Sequence, residues 1–151
     1  MSHKALKVEE VKLVYRNKLK ADDRPILNQP EKVHEYLLDT WDMDQIALLE
    51  EFKLVMIDRR NRLMSIGSLS KGGTDATHVD IKLAFMMALK RKASAIILVH
   101  NHPSGNKNPS RADIRLTKKF VEAGRLLDIP VLDHIIVTED SFYSMADEGV
   151  L

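Results

Sequence analysis

Two hydrophobic periods run along this chain, and each predicts a kind of element. VEEVKLVYR (8–16) reads as a first strand, followed by a polar connection through ADDRP. Residues 30–40 open on Pro30, which suits a first helical position, and carry apolar residues at helical spacing. FKLVMID (52–58) is an apolar run of strand length and NRLMSIGSLS (61–70) alternates more loosely. The DRRN turn between them makes the pair a predicted hairpin. KGGTDAT reads as a flexible break before VDIKLAFMMALKRK (79–92), a predicted helix with charges gathered at its end. ASAIILV (93–99) is wholly apolar and predicts a buried central strand. The polar loop NHPSGNKNPS leads to an amphipathic helix over 111–127, a strand over VLDHIIVT (131–138), and a short strand and turn in FYSMADEGVL. Mixed strands and helices around one sheet, with helices on both faces, form an α/β fold.

Composition narrows the chemistry. With 151 residues, 44% hydrophobic and 30% charged, the chain fits one domain spanning 1–151, with a core that needs no covalent staples. No apolar stretch is long enough to cross a bilayer, and MSHKALKVEE is too polar for a secretory signal, so no membrane partner and a cytoplasmic location are expected. The absence of cysteine excludes disulfides, thiolate metal sites and a cysteine nucleophile, which leaves histidine and carboxylate as metal ligands. A net charge of +1 gives no strong field for phosphate backbones. Lys4, Lys7, Lys12, Arg16, Lys18 and Lys20 do cluster near the start, where a solvated edge strand explains them better than a nucleic-acid surface.

The candidate chemistry lies in AIILVHNHPSGNKNPSRAD (95–113). His100 and His102 are two apart at a strand end, so both imidazoles point to one side. Pro103 and Gly105 stop the strand and let the chain turn. Ser110 begins a helix whose first turn carries Asp113, close enough to return to the histidines. Two imidazoles and a carboxylate make three ligands of the kind zinc prefers, leaving a fourth position for water. A carboxylate that is not a ligand is also needed to move protons, and Glu50 and Glu51 are placed for it at the entrance of the 52–58 strand. Spacing alone leaves blander readings open: Ser110-x-x-Asp113 also resembles a capping box, and His-x-His pairs are common at core edges. His134 reads as a hydrogen-bonded core-edge histidine, and His3, His34 and His78 as surface residues without convergent partners. Lys71-Gly72-Gly73-Thr74 lacks the spacing of a phosphate loop.

His100-x-His102, seven residues, then Ser110-x-x-Asp113 resembles the signature of the JAMM (MPN+) metalloproteases. HNHPSG and PSRAD, continued by LTKKF and LDIPVLDHIIV, are similar to its bacterial RadC-like branch over about Val8 to Leu151. The resemblance implies a three-layer αβα sandwich with a mixed sheet, related to the cytidine-deaminase-like architecture. It implies one Zn2+ on His100, His102 and Asp113, Ser110 beside the oxyanion of a tetrahedral intermediate, and an upstream glutamate as general base. The family's E-x-F pattern selects Glu50, because Phe52 follows it by two. The implied reaction is hydrolysis of a peptide or isopeptide bond in a peptide or protein substrate. Ile81 stands where a proline is usual, which touches only a helix start. Longer members carry an amino-terminal helix-hairpin-helix module for which 151 residues leave no room, so a DNA-repair role draws little support. The alternatives are a DNA-associated module or metal-dependent nuclease, and a non-catalytic scaffold of the same fold. Neither oligomeric state nor natural substrate is specified by the sequence.

Overall fold

The computed structural model describes residues 10–73 and 78–151. The start of the first predicted strand, His3 and most of the predicted glycine-rich break lie outside the described residues. Five strands form one sheet in the order β2-β1-β3-β4-β5: β1 (Glu51–Ile57), β2 (Leu63–Lys71), β3 (Ala95–Asn101), β4 (Val131–Val137) and β5 (Phe142–Ser144). The sheet is mixed, since β3 and β4 run parallel and the other neighbours antiparallel. The β1–β2 pair is the predicted hairpin. Three helices flank the sheet: α1 (Pro30–Leu38), α2 (Ile81–Lys90) and α3 (Arg111–Leu126).

Period-two alternation on the buried strands sorts the core into two layers. Val55, Ile57, Ile97, Val99, Ile135 and Val137 pack with Val33 and Leu37 of α1 and with Trp41. Phe52, Leu54, Ile96 and Leu98 pack the other way, onto Phe85 of α2 and Phe120 of α3. Both layers need the apolar stripes that the helical spacing supplied. At roughly 25 cal/mol per Å2 of apolar surface, each large side chain buried there contributes about 1.5–3 kcal/mol. The α/β class with helices on both faces therefore stands.

One element differs from expectation. Residues 10–18 form no strand, and Val11 and Leu13 are 89% and 94% exposed. A strand exists only where a neighbour accepts its ladder hydrogen bonds, and none of the five strands pairs with this segment. Lys12, Arg16 and Lys18 are accordingly exposed on irregular chain and not on an edge strand.

Candidate metal centre

The carboxyl ends of β3 and β4 open toward the amino end of α3, and the predicted site residues meet there. On β3 the even positions Ile96, Leu98 and His100 face the α2–α3 layer, so His100 continues the buried row and is fully buried. Phe52, its register partner on β1, stacks on the imidazole at 5.4 Å between centroids. His102 follows just beyond the strand, held by its backbone N–H donating to Val137 O. Gly105, at φ 80°, then turns the chain back, with its N–H on His102 O. The positive φ is strained for any residue with a Cβ.

Asp113 comes from the first turn of α3. Ser110 caps that helix in a complete capping box: its Oγ accepts from Asp113 N, while Asp113 Oδ2 accepts from Ser110 N at 2.7 Å and Ser110 Oγ at 2.6 Å. The capping and metal-ligand readings of Asp113 are thus compatible, since Oδ2 caps the helix and Oδ1 faces His100 Nε2 at 3.3 Å. Such a cap stabilises the helix by about 1 kcal/mol.

The donor set fits a small cation. His100 Nε2 and His102 Nε2 are 2.9 Å apart, and Asp113 Oδ2 is 3.4 Å from His102 Nε2. Ligand atoms about 2.0–2.1 Å from a tetrahedral ion lie roughly 3.3 Å from one another, the scale of these separations, with Asp113 presenting Oδ1 to His100 and Oδ2 to His102. His102 Nδ1 donates to Asn106 O at 2.6 Å; a carbonyl only accepts, so this bond leaves the Nε2 of the neutral ring as a bare lone pair turned toward the other two. His100, His102 and Asp113 together could therefore hold a metal ion.

Glu50 and Glu51 are separated by strand alternation. Glu51 turns its carboxylate to Lys53 at 3.5 Å. Glu50 is 8% exposed and lines a cavity of about 710 Å3, with His78, His102, Ser110, Asp113 and Lys119 also in its wall. Its backbone is joined to the glycine pair, Glu50 N donating to Gly73 O and Gly72 N to Glu50 O.

Burial and neighbouring charge shift each group. Burial pushes the Glu50 carboxyl up; His102 opposes that and the Asp113 carboxylate adds to it. Burial would also raise Asp113, but contacts from His100, His102 and Ser110 hold its carboxyl far below the usual range. Burial lowers His100 and lowers His134 well below the ordinary histidine range. For His102 burial is outweighed by Asp113, the Asn106 carbonyl and Glu50, so its pKa rises.

Two supporting residues, Asn101 and Thr117, escaped the sequence reading, and a third, His134, is hydrogen-bonded as expected but more deeply placed. Asn101, between the two histidines, points to the opposite face: its Nδ2 donates to Ile46 O and Leu49 O, and its Oδ1 accepts from Glu51 N at 2.7 Å. It therefore staples the segment that carries Glu50 to β3. His134 is fully buried, deeper than a core-edge residue, with Nε2 2.7 Å from His100 Nδ1. Thr117 of α3 contacts its other nitrogen at 2.6 Å. A polar residue at an inward position of an apolar strand, as in LDHIIV, was the available signal. His34 is also no surface residue, since it is half-buried with its ring 4.8 Å from Phe142. His78 is exposed as expected, though at the cavity wall.

Residues 27–150 match the family described as the RadC-like JAB domain. A UPF0758 protein of Flavobacterium johnsoniae is 48% identical over 101 residues, covering 67% of this chain and 44% of that one. Relatives of the same name are 39% identical in Alkaliphilus metalliredigens, over 80% of this chain and 55% of that one, and 37% in Desulforamulus reducens, over 87% and 56%. The chain thus spans about half the length of these curated relatives.

Proposed function

The chain belongs to the RadC-like JAB domain family, and from that premise we propose that it is a zinc-dependent hydrolase, a metallopeptidase acting on a peptide or isopeptide bond. The observation that carries this reading is the convergence of His100, His102 and Asp113, of which His102 and Asp113 line the same cavity as Glu50 and His100 lies buried behind them. The cavity volume falls in the roughly 300–1,000 Å3 range of small-ligand sites, enough for the bond being cut and its flanking groups. A bound zinc ion would supply Lewis-acid polarisation of a carbonyl and a more acidic water.

The chain's own groups supply the rest. Glu50 is the general base: it takes a proton from the attacking water and delivers it to the departing amine. Its upward pKa shift brings it closer to the operating pH, where such transfer is most effective. His102 is held by Asn106 O and Asp113 by Ser110, so neither side chain needs to reorganise during the reaction. Ser110 Oγ donates to Asp113 Oδ2; stabilising an oxyanion requires that hydroxyl to rotate into the cavity. The exposed basic residues Lys12, Arg16, Lys18 and Lys20 do not line the cavity, and Lys119 is the one lysine or arginine among the described residues of its wall, too little positive charge to track a phosphate backbone.

The test exposes zinc-loaded native protein and Glu50→Gln to mixtures of short peptides and lysine-linked isopeptides, with mass spectrometry of the products. The expected result is cleavage of a subset by the native chain, reduced at least about 100-fold in Glu50→Gln with zinc retained. Absence of cleavage by the native chain, or undiminished cleavage by the variant, overturns the proposal.

A further inference from the structure

We propose that Thr117 and His134 are positioning residues that lock His100 in the Nδ1–H tautomer, so that its bare Nε2 faces the metal position. The inference rests on the metal-site part of the function proposed above, and it follows from which atoms can carry hydrogens. Thr117 Oγ1 lies 2.7 Å from Asp113 O, a helix carbonyl that only accepts. The hydroxyl proton therefore points at Asp113 O, and Oγ1 is left as an acceptor. Met145 Sδ, at 3.5 Å, is a weak and distant competitor for that proton.

The next contact is His134 Nδ1 at 2.6 Å from Thr117 Oγ1, so Nδ1 is the protonated nitrogen and donates. In the neutral ring His134 Nε2 is then bare, and at 2.7 Å it accepts from His100 Nδ1–H. His100 Nε2 is left without a proton, beside His102 Nε2, which is bare for its own reason, and beside the Asp113 carboxylate. Three electron pairs converge with no hydrogen among them, an arrangement that a cation relieves.

The reverse polarity fits less well. It would place a proton on His100 Nε2, which could donate to His102 Nε2 at 2.9 Å but would stand among the three ligand atoms and close the metal position. It would also leave Thr117 Oγ1 and Asp113 O 2.7 Å apart with no hydrogen between two oxygens. The relay begins at the backbone of Asp113, so α3 supplies one ligand directly and, through Thr117, orients a second.

Two readouts test this. Long-range nitrogen–proton NMR of the imidazoles in the metal-free native chain is expected to show Nδ1 protonated and Nε2 bare in both His100 and His134. A proton on His100 Nε2 overturns the proposal, whatever zinc does. Zinc titration against a competing chelator is expected to show affinity about 10-fold or more weaker in Thr117→Val, and close to native in Thr117→Ser, which keeps the hydroxyl. Native affinity in Thr117→Val also overturns it. The expected tautomer in a chain that binds no zinc would support the relay and sink the metal site instead, so the two failures are distinguishable.

Discussion

The cavity has two walls built on different terms. On the ligand wall, which His102 and Asp113 line with His100 buried behind them, each of the three donor residues is backed by a partner: His100 by His134, His102 by the Asn106 carbonyl, and Asp113 by Ser110. Those partners come from β4, the loop after β3 and the cap of α3, so three separate pieces of chain fix one small triangle. On the acid wall the Glu50 carboxyl has no hydrogen-bond partner among the described residues, and its position comes from the backbone. The contrast separates two tasks. Ligands must be preorganised in one tautomer and one orientation, whereas a base must exchange a proton and turn between water and leaving group.

That contrast can be broken at its strongest point first. Glu50→Gln should abolish hydrolysis by about 100-fold or more while zinc content, measured by elemental analysis, stays near native. Equal loss of zinc would make Glu50 part of the ligand wall. The same substitution should leave the metal-free protein at least as stable near neutral pH. The Glu50 carboxyl is raised on folding, so its contribution is a penalty that grows as pH rises through the folded pKa and vanishes below the unfolded one. Melting curves across that range check it; a variant less stable than native at neutral pH would contradict it.

Asn101→Ala is the next largest expected effect. It orphans two carbonyls and one N–H, at about 1–3 kcal/mol for each group that stays buried and unpaired, and it frees the Glu50 segment. Denaturant unfolding should show the loss, with zinc affinity changed less than peptidase activity. A purely structural staple would weaken both alike. The pH profile sharpens the same point: kcat/KM should fall on the acid side through a pKa above the usual glutamate range. An acid limb at or below that range would remove Glu50 as the base. Glu51→Gln should have the smallest effect on activity, near native, because its carboxylate is turned to Lys53 and does not line the cavity; that pair is largely buried, so unfolding should show a stability loss of about 1 kcal/mol or more.

The same division governs what was legible in the sequence. His100, His102, Ser110 and Asp113 are close along the chain, and alternation plus a helix cap suffices to bring them together. The buried runs that became β1, β3 and β4 were equally plain, since a strand covered on both faces must be apolar throughout. The segment 10–16 read as a strand and formed none, because pairing depends on an available edge that no local pattern records. His134, Thr117 and Asn101 have partners 34, 17 and up to 55 residues away. Their meaning rests on which strand lies beside which, and a single polar letter in an apolar run signals only that some partner exists.

The central claim is that His100, His102 and Asp113 form a metal centre. Elemental analysis of the native chain beside His100→Ala/His102→Ala, both purified without chelators and offered zinc, tests it most directly. The account predicts near one equivalent of zinc in the native protein and almost none in the variant. A native chain that takes up no zinc, or a variant that holds as much, would contradict it.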